Sequence, residues 1–330
     1  MTRRLIVWPA AALVVAAAVV LSLAVGTRAV PPSAVLDALL HQGESPDALV
    51  VRSLRLPRTE IGLTAGAALG LAGAALQAVT RNPLADPGIL GLSQGAAAGV
   101  VTAIAFGWAN GFSGYVWFAF AGAVVAACLV YAVASRGRGG ASPVKLALAG
   151  TALAAMTAGG TTVVLTSSSA TLDQFRFWQV GALSGRDAGS VVQMLPFLLV
   201  GAVLVMVCAP GLDALALGDE TARGLGHRVQ LVRGAAALGA TLLTASAVAA
   251  AGPIVFVGLV VPHVARRLVR RGGHRSLLPL SALLGAALLV LADVAGRVVR
   301  APAEVPAGVM TALVVVPVLV VLVRRKKAVV

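Results

Sequence analysis

The sequence predicts an all-α polytopic membrane protein, and three observations carry that prediction. Of the 330 residues, 59% are hydrophobic and 12% are charged, whereas soluble domains contain roughly 45–50% apolar and about 25% charged residues. The apolar residues form runs of about 20, the length with which an α-helix crosses the hydrocarbon core. Backbone groups in lipid must bond within their own segment, which favours helices. This hydrophobicity also excludes a disordered chain.

Ten apolar runs, separated by polar or Gly/Pro segments, predict ten transmembrane helices in one domain over residues 1–330. The first run is 21 residues long and no clean small-residue cleavage site follows it, so we expect a span and not a signal peptide. The predicted spans are 5–25, 61–79, 89–108, 114–134, 146–166, 191–208, 234–250, 253–269, 276–296 and 306–323.

The distribution of basic residues predicts that both termini are cytoplasmic. With the N-terminus inside, 18 of the 26 Lys and Arg residues fall in cytoplasmic segments and 8 outside, as the positive-inside rule requires. Because the basic residues are scattered between apolar runs, the net charge of +14 does not indicate a nucleic-acid partner. All Trp and Tyr residues fall near predicted span ends, where an aromatic belt is expected.

Glycines recur at helical spacing in the second predicted span. Gly62, Gly66 and Gly70 form two consecutive GxxxG steps, a spacing that lets another helix approach closely. The pattern predicts helix packing, although general glycine richness (37 glycines) is an alternative source of it.

Two Pro- and Gly-rich segments interrupt the helical pattern, at Asn82–Gly88 and at Gly252–Gly258. Irregular backbone at membrane depth is tolerated where protein or a water-filled cavity satisfies its polar groups. Such breaks are typical of transport pathways. For the first segment, a plain turn between two spans is the alternative.

The sequence contains no P-loop, because none of its three lysines (Lys145, Lys326 and Lys327) lies in that motif. If ATP drives this protein, a separate subunit must bind ATP and its magnesium, and we expect no cofactor on this chain. No catalytic constellation is present either, so we do not expect an enzyme. The four histidines are dispersed and both cysteines lie in apolar runs, so neither a metal site nor a disulfide is predicted.

An ion-coupled carrier would bury acidic residues within its spans. Asp293 lies four residues before Arg297, a spacing that predicts an ion pair. Asp86 falls in the first break and Glu304 in a short loop. No span carries an unpaired acid at its centre, which disfavours a proton- or sodium-driven carrier.

The polar loop at about 209–233 predicts two short helices separated at Gly218. We expect Asp219 to be the N-cap of the second helix and Gly226 to end it with a positive φ. Such a helix pair could dock into a partner, and a solvated loop is the alternative.

Three long motifs resemble the FecCD-type permeases, the membrane subunits of ABC importers for ferric siderophores, haem and cobalamin. The first runs from the RLPR sequence at Arg55–Arg58 through GAALGLAGAALQ at 66–77 to NPLADPGILG at 82–91. The second is GPIVFVGLVVPHVAR at 252–266. The third begins at His274 and continues through Asp293 and Arg297 to Gly308.

The resemblance implies a cobalamin-permease-like fold with ten helices in the cytoplasmic (inner) membrane of a bacterium. It also implies a second permease subunit, identical or paralogous, two cytoplasmic ATPases and an extracytoplasmic solute-binding protein. Ferric siderophore is the expected cargo on family frequency, with haem and cobalamin still open. An ion-coupled secondary transporter is the alternative from a different functional class.

The resemblance also assigns roles to individual positions. Those matched to docking of the binding protein are Arg55, Arg58 and Arg297. Those matched to coupling with the ATPase are Leu217, Gly218, Asp219, Glu220, Ala222, Leu225 and Gly226. Those matched to the gate or pathway are Asn82, Pro83, Leu84, Asp86 and Gly91.

Overall fold

The computed structural model describes residues 2–28, 30–41, 45–109, 111–136, 143–186, 189–269 and 272–327, and these contain helices but no strand. A π-helical turn at Val50–Arg55 precedes the fourth helix, and a 3-10 turn at Pro87–Leu90 precedes the fifth. The α-helices are α1 (Thr2–Ala24), α2 (Pro32–Leu40), α3 (Pro46–Leu49), α4 (Leu56–Thr80), α5 (Leu92–Ala105), α6 (Gly111–Ser135), α7 (Pro143–Ser167), α8 (Ser169–Gln179), α9 (Gly189–Val207), α10 (Ala209–Ala216), α11 (Asp219–Gly224), α12 (Val229–Ala251), α13 (Val257–Leu268), α14 (His274–Val299) and α15 (Ala307–Lys327).

Among the described residues, seven helical segments are long and apolar enough to cross a membrane. They correspond to α1, the continuous stretch from α3 to α4, α6, α7, α9, α12 and α14. In α15, the apolar part with described side chains is shorter and ends at Pro317.

Two predicted spans are only partly helical. Span 89–108 contains α5, which has 14 residues, because Gly91 has a φ of +71° and separates α5 from the preceding 3-10 turn. Span 253–269 contains α13, which has 12 residues. Its first part is not helical, because Gly252 has a φ of +79° and Pro253 has no backbone N–H to continue α12.

Three helices form the centre of the protein. In α4, α12 and α14, between 67% and 78% of the apolar stretch is buried, compared with 6% in α7. Helix α4 packs against α14, α12 and α13. The central helices therefore meet other protein on most sides, whereas most of the surface of α7 is uncovered in the isolated chain.

The glycine stripe of α4 lies against α14. A Cβ atom on Gly66 would lie 2.4 Å from the carbonyl oxygen of Gly285, and one on Gly70 would lie 2.2 Å from that of Ser281. Both distances are too short for any side chain, so the two backbones touch. Gly62 has more room, since its Cβ would lie 3.0 Å from Val290 Cγ2.

The prediction of an aromatic belt at the membrane interface is wrong for Trp178 and Tyr115. Trp178 is fully buried and stacks on Phe175, and Tyr115 is only 4% exposed and contacts Gln174 at 3.0 Å. Both aromatic residues attach α8 to the core. This 11-residue helix was not among the predicted elements, because it lies between spans and is not apolar enough to mark one.

Candidate functional site

The two interrupted segments predicted from the sequence touch each other. A Cβ atom on Gly73 of α4 would lie 2.0 Å from the carbonyl oxygen of Gly258, and one on Gly258 would lie 2.9 Å from Pro87 Cδ. The turn before α5 and the start of α13 therefore meet against α4. Any movement of one segment must be accommodated by the other.

Gln77 of α4 joins α13 to this contact. Its Nε2 atom donates to the carbonyl oxygens of Gly258 and Leu259, both at 3.1 Å, and its Oε1 atom accepts from Arg266 at 2.7 Å. Within a helix, the Gly258 carbonyl would accept from residue 262, but Pro262 has no N–H. Gln77 supplies the missing donor, because a buried carbonyl without one is costly.

The sequence assigns no role to Gln77, which is 2% exposed. Its position could have indicated a role, because Gln77 lies inside an otherwise apolar span. Polar groups at membrane depth cost free energy and usually have a function.

The candidate gate residues form a compact, self-capped turn. Asn82 Oδ1 accepts from the backbone N–H of Leu84 at 2.9 Å, and Asp86 Oδ1 accepts from that of Gly88 at 2.8 Å. Pro83 lies exposed between Asn82 and Leu84. Burial raises the pKa of Asp86, although the hydrogen bond from Gly88 opposes the rise.

Gly91 connects this turn to α7. Its positive φ begins α5, and a Cβ atom there would lie 3.3 Å from the carbonyl oxygen of Gly150. The turn between α4 and α5 is therefore packed on one side against α13 and on the other against α7.

The loop at 209–233 contains the two predicted helices, α10 and α11, separated at Gly218, which has a φ of +114°. Gly226 has a φ of +83°, and the bonds from Gly226 N to Arg223 O and from His227 N to Ala222 O complete a Schellman motif. Of the coupling candidates, Ala222 is fully buried. Leu217 and Leu225 are 66% and 60% exposed, and Glu220 is also exposed.

The predicted N-cap of α11 is wrong by one residue. Gly218 occupies the N-cap position and Asp219 is the first helical residue. The Asp219 carboxylate accepts from Arg233 at 3.0 and 2.9 Å and also from Arg81. Two guanidinium groups therefore bind this carboxylate.

We call Arg81, Asp219 and Arg233 the loop charge cluster. Burial alone would raise the pKa of Asp219, but the charges of Arg233 and Arg81 outweigh it and lower that pKa. Arg81 directly precedes the gate candidate Asn82. The cluster thus connects α11 to the end of α4 and to the start of α12.

Helix α10 is connected to α14 in a similar way. Asp213 Oδ1 accepts from the backbone N–H of His274 at 2.9 Å and lies 2.7 Å from its Nδ1 atom. A carboxylate is favourable at the positive end of a helix dipole. Both short helices of the loop are therefore fixed to central helices by one aspartate each.

A second set of charged residues lies at the other end of α4, and we call Arg58, Asp293, Arg297 and Glu304 the buried charge cluster. Arg58 donates to Asp293 Oδ1 at 3.0 and 2.9 Å and to Glu304 Oε2 at 2.8 Å. Arg297 forms the predicted ion pair with Asp293, donating to Oδ2 at 2.9 Å, and also donates to Ser22 O at 2.8 Å. The side chains of Asp293 and Arg297 are 1% and 2% exposed.

Two of the three docking candidates, Arg55 and Arg297, are buried in this conformation. Arg55 is 6% exposed and donates to the carbonyl oxygens of Leu23, at 2.6 Å, and Arg28. Arg297 is enclosed by Asp293 and α1. In this conformation both arginines hold the end of α1 in place. The Arg58 side chain is 11% exposed, and its partner Glu304 is 32% exposed.

Among the described residues, no group of three or more His, Cys, Asp or Glu side chains could hold a metal ion. Cys128 is an exposed free thiol and Cys208 is a buried one.

Comparison with known proteins matches residues 13–325 to the model of the FecCD transport family. The ferric enterobactin permease FepD of Escherichia coli (strain K12) is 44% identical, over 98% of this chain and 96% of its own length. The iron(3+)-hydroxamate permease FhuB of Bacillus subtilis is 39% identical, over 93% and 80%. The cobalamin permease BtuC of Halobacterium salinarum is also 39% identical, over 84% and 74%.

A solved structure gives the same fold. An inward-facing metal-chelate type ABC transporter superposes with a TM-score of 0.83 at 27% sequence identity, over 96% of this chain and 98% of that one. The arrangement of helices around α4 is therefore that of an ABC importer permease.

Proposed function

The chain belongs to the FecCD transport family, and we propose that it is the permease subunit of an ABC importer that carries ferric siderophores into a bacterial cell. The observation that carries this proposal is the family match over nearly the whole chain, with relatives named for ferric enterobactin, ferric citrate and iron-hydroxamate. The cobalamin relative makes cobalamin the second candidate cargo, and haem is a candidate from the family resemblance alone.

The proposed topology has ten crossings of the cytoplasmic (inner) membrane, with both termini in the cytoplasm. The eighth crossing combines the non-helical residues 252–256 with the 12 residues of α13. At 1.5 Å per residue, α13 covers about 18 Å of a hydrocarbon core that is about 30 Å thick. The non-helical residues must therefore cover the remaining ~12 Å.

The proposed complex contains a second permease subunit, two cytoplasmic ATPases and an extracytoplasmic solute-binding protein. ATP and magnesium bind to the ATPases, since this chain has no P-loop. The exposed Leu217 and Leu225 of the 209–233 loop offer apolar contacts to an ATPase. For the binding protein, we retain Arg58 as a docking residue and assign Arg55 and Arg297 to the support of its position.

The proposed coupling route follows the contacts described above. Movement of an ATPase displaces α11, and Asp219 transmits that displacement to Arg81 and so to the turn at 82–91. This turn packs against the start of α13 at Gly258. The two interrupted segments would then move together and change access to the pathway.

Uptake by cells tests the proposed cargo. Deletion of the gene should abolish accumulation of radioactive iron supplied as a catecholate, hydroxamate or citrate complex, and the gene on a plasmid should restore it. Labelled cobalamin and haem are tested in the same strains. Unchanged uptake of all three iron complexes, with loss of cobalamin or haem uptake, would overturn the siderophore assignment in favour of the second candidate.

A further inference from the structure

An apolar groove opens between four helices at the end of α4 that carries the loop charge cluster. Its cavity volume is about 330 Å³, and α4, α6, α7 and α12 line it. The walls are apolar apart from the hydroxyls of Thr80, Thr241 and Tyr131 and the thiol of Cys128. The groove opens laterally, because Cys128 and Leu238 are exposed. These walls suit a hydrocarbon chain and not a polar ferric complex.

One end of the groove is polar and basic. A smaller cavity there shares Val79, Tyr131 and Gly234 with the groove, and adds Gln230 and Arg233. Arg233 belongs to the loop charge cluster, in which two guanidinium groups share the single Asp219 carboxylate. The cluster therefore keeps a net charge of +1 when that carboxylate is ionised.

We propose that this groove binds an anionic phospholipid, with one acyl chain in the groove and the phosphate beside the loop charge cluster. Along α12 the groove extends from Gly234 to Leu242, about 12 Å at 1.5 Å per residue, and so holds part of one chain. Basic pockets between membrane helices bind anionic headgroups, and one basic residue near the surface contributes about 1 kcal/mol. This corresponds to about a fivefold preference over a zwitterionic lipid.

Photo-crosslinking of the full chain in vesicles tests this site. Phosphatidylglycerol or phosphatidylcholine with a diazirine in the acyl chain is added in trace amounts, and adducts are located by mass spectrometry. Adducts at 124–131 and 234–242 are compared with adducts at 199–207, where exposed α9 side chains provide an internal standard for ordinary bilayer contact. The ratio of groove adducts to α9 adducts should be about fivefold higher for phosphatidylglycerol than for phosphatidylcholine.

Two pairs of variants sharpen the result. A Cβ atom on Gly234 would meet open space and Gly234 lines the groove, so Gly234→Leu should fill the groove and remove its adducts. Gly160 of α7 has equally open surroundings and does not line the groove, so Gly160→Leu should change nothing. The exposed Gln230 provides a charge test, because Gln230→Glu should lower the preference and Gln230→Lys should raise it.

Equal ratios for both lipids, unaffected by Gly234→Leu, would overturn the proposal and indicate ordinary bilayer contact. Oxidation of the Cys208→Ser chain tests separately whether a second copy covers the groove, because Cys128 is then its sole cysteine. Disulfide-linked dimers through Cys128, without groove adducts, would also overturn the proposal by showing that a second copy covers the groove.

Discussion

The buried charge cluster and the loop charge cluster lie at opposite ends of α4 and differ in composition and exposure. Arg58 and Arg81 are 23 positions apart, or about 34 Å along the helix. The buried cluster has two carboxylates for two guanidinium groups, and Asp293 and Arg297 are at most 2% exposed. The loop cluster has one carboxylate for two guanidinium groups, with side chains 16% to 39% exposed.

This difference indicates different roles. Breaking a buried ion pair leaves an uncompensated charge, which is strongly destabilising. Exposed pairs contribute little and can separate at small cost. The buried cluster is therefore suited to hold α1, α4 and α14 together, and the loop cluster is suited to change during a transport cycle.

The largest effect is expected at Asp293. Asp293→Ala removes the shared acceptor of Arg58 and Arg297 and should lower the free energy of unfolding by about 3–5 kcal/mol, measured by denaturation in detergent. Asp173→Ala is the matched control, because Asp173 pairs with Arg176 but is 62% exposed. It should cost less than about 1 kcal/mol. Equal losses in both variants would remove the distinction between buried and exposed clusters.

A smaller effect on stability is expected where α4 packs against α14, between the two charge clusters. Gly70→Ala places a Cβ atom 2.2 Å from Ser281 O, which must separate α4 from α14, and such overpacking costs roughly 1–3 kcal/mol. Gly160→Ala adds the same atom where nothing lies within 4 Å, and its melting temperature should not fall. If Gly70→Ala were as stable as the Gly160 variant, the close approach of α4 and α14 would be contradicted.

At Asp219 we expect little change in folding but a change in transport. Asp219→Asn should cost less than about 1 kcal/mol of stability. It should reduce cargo moved per ATP hydrolysed by about five- to tenfold, a usual size for coupling between sites. Uptake and phosphate release are measured together in the assembled transporter, with Asp173→Asn as control. Normal uptake by Asp219→Asn would contradict the coupling route.

The smallest effect concerns pH. Because the folded-state pKa of Asp219 is below its ordinary value of 3.8, its stabilising contribution is fully present above that ordinary value and is lost as the pH falls through the lowered folded value. The difference in free energy of unfolding between wild type and Asp219→Asn should therefore be constant near neutral pH. It should decrease toward zero below about pH 4. A difference that persisted at the lowest pH would contradict the shift.

Much of the fold follows from the sequence, because lipid forces apolar runs into helices. The same reasoning missed α8 and overextended α5 and α13, where Gly91, Gly252 and Pro253 stop helices inside apolar runs. The i, i+4 spacing predicted the Asp293–Arg297 pair. It could not predict that Arg58 shares the carboxylate, or that Asp219 binds Arg81, since those partners are far apart in the chain. The burial of Arg55 was likewise not readable from its sequence.

In the transport cycle that we propose, a separate ATPase supplies the work with which this permease moves its cargo. The most direct measurement is uptake of a radioactive ferric siderophore into liposomes that contain the chain, with and without the partner ATPase, in the presence of the binding protein. We expect uptake only when the ATPase is present with internal ATP and magnesium. Uptake without the ATPase, driven by an imposed proton or sodium gradient, would contradict it.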